Sequence, residues 1–129
     1  MSKNLCFWSG LLSKLTNEDF QYAFKQNKSN IDVFINLLID NNKYTENIKW
    51  QNHYLTSNEL KENFNHIQHF DKSTIYRGYD CSSCDPFLLL ITSLFQITLI
   101  HKYCGNSITY QTKLPRKTIT YYANTHHFW

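Results

Sequence analysis

Apolar residues recur with helical spacing through the first two thirds of the chain. Leu60, Phe64 and Ile67 lie four and three positions apart, so they would form one stripe on a helix whose opposite face is polar. Side chains that commonly cap helix N-termini precede several such stripes. We therefore predict helices that start at or near Cys6, Thr16, Asn30, Thr56 and Asp85–Pro86.

The apolar pattern changes to a period of two after residues 87–94, a segment that is predicted to be the most buried helix. Strands are predicted over 97–103, 107–111 and 117–122, with a turn at 104–106. Helices followed by strands indicate an α+β domain, in which N-terminal helices pack on a small, mostly antiparallel sheet.

Length and charge narrow the possible functions. The chain has 129 residues, 42% of them hydrophobic, which is enough for one domain over 1–129 with a real core. The net charge of +3 is scattered, and the small basic cluster of Lys113, Arg116 and Lys117 reads as a solvated loop, so no nucleic-acid partner is expected. No apolar run reaches the roughly 18 residues of a membrane span and no signal-peptide core is visible, so we expect a cytoplasmic protein without a membrane partner.

Cys6 is the first candidate for chemistry. It lies at the first turn of a predicted helix, where backbone N–H groups and the helix dipole stabilise a thiolate. A cysteine nucleophile also needs a base, usually histidine, and His126 and His127 follow the last predicted strand. Taken separately, Cys6 also reads as a small buried hydrophobe and the two histidines as a loosely ordered tail.

The joint arrangement of these segments resembles a known family. Residues 4–11, Asn-Leu-Cys-Phe-Trp-Ser-Gly-Leu, resemble the catalytic-cysteine motif of the ovarian tumour (OTU) family of cysteine proteases. Residues 85–90 resemble the helix before that family's sheet, and 118–121 with His127-Phe128 resemble its last strand and closing His-aromatic pair. The resemblance spans nearly the whole chain in the family's order, although 16–70 match only as helices.

The resemblance implies a papain-like OTU-type domain and a cysteine peptidase without a cofactor. Its substrates would be ubiquitin or ubiquitin-like conjugates, or a polyprotein, in the cytoplasm, which for a viral member is the host's. It implies that Cys6 is the nucleophile and His127 the base, because Phe128 follows His127, with His126 as the fallback. Backbone N–H groups of Cys6 and of the loop Lys3, Asn4 and Leu5 would form the oxyanion hole.

The sequence departs from the family pattern at two places. Lys3 stands where many members have Asp, and the glycine that usually precedes the cysteine motif is missing. The residue that orients the base usually lies two positions after the histidine, where this chain has Trp129. Asn124 is the candidate substitute, and a Cys-His dyad is the alternative.

A rival reading starts from the remaining cysteines. Cys81, Cys84, His101 and Cys104 form a C-x2-C…H-x2-C set that is compatible with a tetrahedral zinc site, although a helix and a strand separate the two halves. The second hypothesis is therefore a non-catalytic module, either an OTU-like pseudoenzyme or a zinc-stapled binding domain. The peptidase hypothesis predicts that the Cys6 sulfur and a His127 nitrogen lie within roughly 4 Å of each other. The non-catalytic module predicts that they lie far apart.

Overall fold

The computed structural model describes residues 6–77, 79, 82–103 and 105–123, without the side chains of Cys6, Tyr76, Arg77 and Ala123. The described residues form five α-helices, which are α1 (Cys6–Lys14), α2 (Asn17–Phe24), α3 (Ile31–Asp40), α4 (Ser57–Gln68) and α5 (Pro86–Phe95). They also form five strands, which are β1 (Lys49–Trp50), β2 (His53–Tyr54), β3 (Thr98–Tyr103), β4 (Asn106–Gln111) and β5 (Thr118–Ala123). A 3₁₀ helix, Lys72–Arg77, lies between α4 and α5. The predicted α+β class is confirmed.

Four helices begin where the sequence predicted a cap. Thr16 and Thr56 each form a capping box, with Asp19 and Glu59 respectively. The Asn30 side chain accepts from the Val33 N–H at the start of α3. Asp85 caps α5, with Pro86 at its first position. These starts are set locally, because each cap satisfies backbone N–H groups that have no partner within the helix.

The strands form one mixed sheet with the order β2-β1-β4-β3-β5. Three of its pairings are antiparallel, which agrees with the predicted, mostly antiparallel sheet, although only the β3–β4 pair was predicted individually, and β5 pairs with β3 in parallel. The pairing places six buried side chains in one set of rows across the three long strands. These are Leu99, His101, Ile108, Tyr110, Ile119 and Tyr121. Helices α1 and α5 pack against these strands.

The parallel pairing follows from how the chain passes from β4 to β5. Strand β4 ends beside the start of β3, and the loop 112–117 crosses that end of β3 before β5 begins on its other side. Two backbone hydrogen bonds hold the crossing, from the Arg116 N–H to the Gln96 carbonyl and from the Thr98 N–H to the Lys117 carbonyl. A six-residue loop thus inserts β3 between β4 and β5.

The short hairpin of β1 and β2 is not predicted from the sequence, in which residues 40–54 form a polar stretch. Gln51 and Asn52, between the two strands, both have positive φ, as in the tight turns that suit a two-residue hairpin. The Gln51 N–H donates to the Thr109 carbonyl, and the Gln51 side-chain oxygen accepts from the Thr109 N–H. Contacts with β4, which is distant in sequence, therefore stabilise a hairpin that is not predictable from its own residues.

Helix α5 is the centre of the core, as predicted. Eight of its ten residues are buried, and Thr92, one of the two polar ones among them, donates to the Leu88 carbonyl in the preceding turn. Aromatic rings from α1, α2 and α3 contact one another and α5 in tilted or edge-to-face pairs, among them Trp8 with Phe87 and Phe20 with Phe95. No helix in the part of the chain that the structure describes is long and apolar enough to cross a membrane.

The basic cluster that reads as a solvated loop instead ties the loop 112–117 to α2. The carboxylate of Asp19, 1% exposed, accepts from Lys117 Nζ at 2.7 Å and from Arg116 Nη2 at 3.1 Å. Arg116 also donates to the Phe95 carbonyl and lies over the Tyr22 ring. The interpretation as a solvated loop is therefore wrong for Arg116 and Lys117, because a buried carboxylate recruits both.

Candidate functional site

The first turn of α1 carries Cys6, the predicted nucleophile. Cys6 is the first residue that the structure describes and it lies in α1, but its side chain lies outside the described part of the chain. Lys3, Asn4, Leu5, Asn124, His126 and His127 also lie outside the described residues. The Cys6–His127 pair, the oxyanion hole and the orienting role of Asn124 therefore stay predictions. The structure describes the residues that surround the first turn of α1.

Phe7 and Trp8 anchor the beginning of α1 in the core. Both are buried, and their rings meet edge to face with centroids 4.9 Å apart. The Tyr79 ring covers both, at 4.5 Å from Phe7 and 5.5 Å from Trp8. The Phe87 ring of α5 contacts Trp8 and Tyr79, with centroids 4.9 and 5.7 Å away. The turn that carries Cys6 is therefore rigidly held on its inner side.

A buried hydrogen bond joins this turn to the last strand. The Tyr121 hydroxyl on β5 donates to the Phe7 carbonyl at 2.7 Å, and the two rings contact at 6.1 Å. Phe7 follows Cys6 directly, and Tyr121 lies two residues before the end of β5. The two segments are 114 positions apart in sequence. The fold thus brings the residue after Cys6 against the strand that leads toward His127.

Asp85 organises the loop next to this turn. Its fully buried carboxylate accepts from the Tyr79 hydroxyl at 2.9 Å, from the Ser82 N–H at 3.2 Å, and from the Phe87 and Leu88 N–H groups at the start of α5. Burial raises the pKa of Asp85 above its ordinary value, and these hydrogen bonds offset that rise only in part. The same carboxylate therefore fixes Tyr79 over α1 and caps α5.

The loop 82–84 is also bound to the sheet. The Ser83 carbonyl accepts from Trp50 Nε1 at 2.8 Å and from the Tyr110 hydroxyl at 3.2 Å, and that hydroxyl accepts from the Asp85 N–H. The sequence predicts Asp85 only as a helix cap, because a cap is recognisable from neighbouring residues. The long-range partners Tyr79, Trp50 and Tyr110 carry no such signal.

The proposed zinc ligands fall partly within the described residues. Cys81 and Cys104 lie outside them, while Cys84 and His101 lie within. Burial, and then the charges of Glu59 and Asp85, raise the pKa of Cys84 to about 11. His101 instead contacts Tyr103 and Tyr121. Within the described ranges, no three His, Cys, Asp or Glu side chains come together in a way that could hold a metal ion.

His101 is a buried neutral imidazole. It is 0% exposed, its ring stacks on Tyr121 with centroids 5.5 Å apart, and neither ring nitrogen has a hydrogen-bond partner among the described residues. Burial lowers the pKa of His101 from 6.5 to about 4. The imidazole therefore stays uncharged in the folded protein at neutral pH.

Protonation of His101 is expected to destabilise the fold in mild acid. Because the folded pKa is depressed, its contribution to the free energy of unfolding is complete above pH 6.5 and is lost as the pH falls toward about 4. The loss should reach about 3 kcal/mol. Urea unfolding at a series of pH values measures it.

His101→Leu is the comparison for this pH dependence. The variant removes two unpaired polar atoms from the core, so its stability should change much less between pH 6.5 and 4 than that of the parent protein. An unchanged slope in His101→Leu would contradict the assignment, because another group would then carry the dependence.

Comparison of the chain with known protein families, with curated proteins and with solved structures finds no match.

Proposed function

We propose that the protein is an OTU-like cysteine peptidase that cleaves the bond after the C-terminus of ubiquitin or a ubiquitin-like modifier, or a bond within a polyprotein. Cys6 is its nucleophile and His127 its base. The proposal starts from the sequence resemblance. The single structural observation that supports it is the buried hydrogen bond from Tyr121 to the Phe7 carbonyl, because it joins the turn that carries Cys6 to the strand that precedes His127.

The start of a helix suits a cysteine nucleophile. Backbone N–H groups in the first turn of α1 have no acceptor within the helix, and the helix dipole adds partial positive charge there. Both favour the thiolate over the thiol at Cys6. Cys84 is in the opposite situation, since burial and two nearby carboxylates keep its thiol protonated. The electrostatics therefore favour Cys6 over Cys84 as the reactive cysteine.

The length of chain after β5 allows a histidine to reach Cys6. His127 lies six residues after Tyr121, and an extended chain spans at most about 3.6 Å per residue, so His127 lies within roughly 22 Å of Tyr121. Tyr121 itself contacts Phe7, the neighbour of Cys6. The segment from Tyr121 to His127 is therefore short. It starts on the face of the sheet that α1 covers, because the Tyr121 side chain belongs to that face.

The mechanism that follows is acyl transfer through a thioester. The Cys6 sulfur attacks the carbonyl carbon while His127 accepts the thiol proton, and backbone N–H groups of Lys3 to Cys6 stabilise the oxyanion. His127 then donates the proton to the leaving amine, and a water molecule hydrolyses the thioester with His127 as base. Asn124 orients the His127 ring, or the pair works as a dyad.

Reaction with ubiquitin that carries a C-terminal electrophile tests the proposal. We expect the parent protein to form a covalent adduct and Cys6→Ala to form none. Cys84→Ala is the matched control and should react like the parent, because the pKa of Cys84 near 11 leaves almost no thiolate at neutral pH. Gel shift and intact mass spectrometry read out the adduct.

Each other outcome has a definite meaning. An adduct that survives in Cys6→Ala would refute Cys6 as the nucleophile. A parent protein that reacts with neither ubiquitin nor ubiquitin-like probes would favour the non-catalytic module. Thermal unfolding of both variants shows whether either loss reflects misfolding.

A further inference from the structure

A groove lies at the end of the sheet where β4 ends. It consists of two adjoining cavities of about 280 and 240 Å³ that share Asn47, Thr112 and Lys113 in their walls. Lys49 and Gln111, paired across β1 and β4, lie in the wall of the larger one. We call this feature the lysine groove.

The lysine groove lies toward the opposite end of the long strands from the end of β5. Gln111 follows Tyr110, which pairs with Leu99 near the start of β3, whereas Ala123 at the end of β5 pairs with Tyr103 at the end of β3. The six residues from Thr98 to Tyr103 span roughly 16 Å along the strand direction. The groove is therefore separate from the peptidase proposal and does not depend on it.

The charge of the groove is positive and uncompensated. Lys43, Lys49 and Lys113 line the two cavities, and no carboxylate among the described residues lines either one. None of the three ammonium groups forms an ion pair with a carboxylate in the described residues. Arg116 and Lys117, a few residues after Lys113, differ because both form an ion pair with Asp19. Mutual repulsion among the three lysines makes an anion the natural occupant.

Neutral hydrogen-bond donors accompany the three lysines. Asn47 and Gln111, whose side chains end in amides, are among the residues that line the larger cavity. Tyr54, 51% exposed, adds a hydroxyl, and Lys49 Nζ lies 5.3 Å from the centroid of its ring. Ammonium groups with amide N–H donors are the usual partners of phosphate oxygens.

We propose that the lysine groove binds a small anion that carries two or more phosphate groups, held by Lys43, Lys49 and Lys113. More than one phosphate fits, because the lysines are spread over two adjoining cavities. The size favours a small ligand over nucleic acid, since each cavity lies near the lower end of the range for small-molecule sites, about 300 Å³. A nucleic acid would need basic residues along a longer track.

Calorimetric titration of the full chain with inorganic tripolyphosphate, at constant ionic strength, tests this proposal. We expect saturable binding that weakens about tenfold or more in Lys49→Gln/Lys113→Gln, because each lost ammonium removes a charged hydrogen bond. The matched control is Lys61→Gln/Lys102→Gln, which removes two exposed lysines outside the groove and should bind like the parent. Binding should also be unchanged in Cys6→Ala, which separates this site from the peptidase proposal.

Two further arms identify the anion. A short polyglutamate peptide should bind much more weakly than tripolyphosphate. Sedimentation with phosphatidylcholine vesicles that contain phosphatidylinositol bisphosphate distinguishes a lipid headgroup from a soluble phosphate. The proposal is overturned if neither phosphate source binds, if both lysine pairs weaken binding equally, or if polyglutamate binds as tightly.

Discussion

His127→Ala is expected to lower kcat/KM for a fluorogenic ubiquitin C-terminal substrate by about 100-fold to 10,000-fold, the range for loss of a general base. The reason is that the Cys6 thiol would lose the group that accepts its proton and the leaving amine would lose its acid. His126→Ala should cost far less, because Phe128 follows His127 as in the family's His-aromatic pair. Steady-state kinetics of the two variants measure the difference.

The neighbouring histidines are each other's control. They share the same segment, so a general disturbance of that segment would affect both variants alike. Equal losses would contradict the choice of His127. A larger loss in His126→Ala would instead assign the base to His126, the fallback that the sequence leaves open.

Asp19→Ala should lower the free energy of unfolding by about 2 to 4 kcal/mol. The substitution leaves Arg116 and Lys117 without their shared carboxylate and removes the acceptor for the Thr16 N–H at the start of α2. We expect less than the full cost of a buried orphan charge, since both cations are partly exposed and can reach water. Urea unfolding at neutral pH measures the change.

Asp32→Ala is the matched control for this variant. Asp32 also forms an ion pair, with Lys72 at 3.5 Å, but its side chain is 65% exposed, so its loss should cost less than about 1 kcal/mol. Similar losses in the two variants would mean that burial of Asp19 contributes nothing to the strength of its interactions.

The pH dependence of Asp19 has its own window. Burial raises its pKa, but the hydrogen bonds from Lys117, Thr16 and Arg116 outweigh burial and hold the pKa below the ordinary 3.8. A depressed carboxyl pKa contributes stability that is complete above pH 3.8 and is lost as the pH falls further. This window lies below that of His101, so the two groups can be distinguished in one pH series.

Local signals in the sequence were sufficient for most of the helices. A cap such as Thr56 with Glu59 acts within one turn, so its chemistry is readable from four consecutive residues. The burial of α5 was readable as well, because a run that is apolar on all sides has no face to present to water.

Features that depend on distant partners could not be predicted. Nothing near Asp19 announces Arg116 and Lys117, which lie 97 and 98 positions away. The hairpin of β1 and β2 is equally dependent on a remote strand, since Gln51 bonds to Thr109. In each case tertiary contact decides the structure, and local propensity is silent.

The candidate site divides in the same way. A helix that contains Cys6 is predicted from local pattern and resemblance, and Cys6 lies in α1. Tyr79 and Tyr121 both contact Phe7, the residue after Cys6. Neither tyrosine is predicted to belong to the site, because the sequence pattern predicts for an aromatic residue in a loop or strand only a place in the core. Their role depends on which atoms their hydroxyl groups reach, the Asp85 carboxylate for Tyr79 and the Phe7 carbonyl for Tyr121.

The bond between Tyr121 and Phe7 has a consequence during synthesis of the chain. The strand that binds Phe7 is translated more than a hundred residues after Phe7 and Trp8. Until then the nascent chain exposes two large aromatic side chains that are buried in the finished domain. The emerging polypeptide should therefore engage chaperones until β5 clears the exit tunnel, and truncation before Thr118 should convert it into an aggregating species.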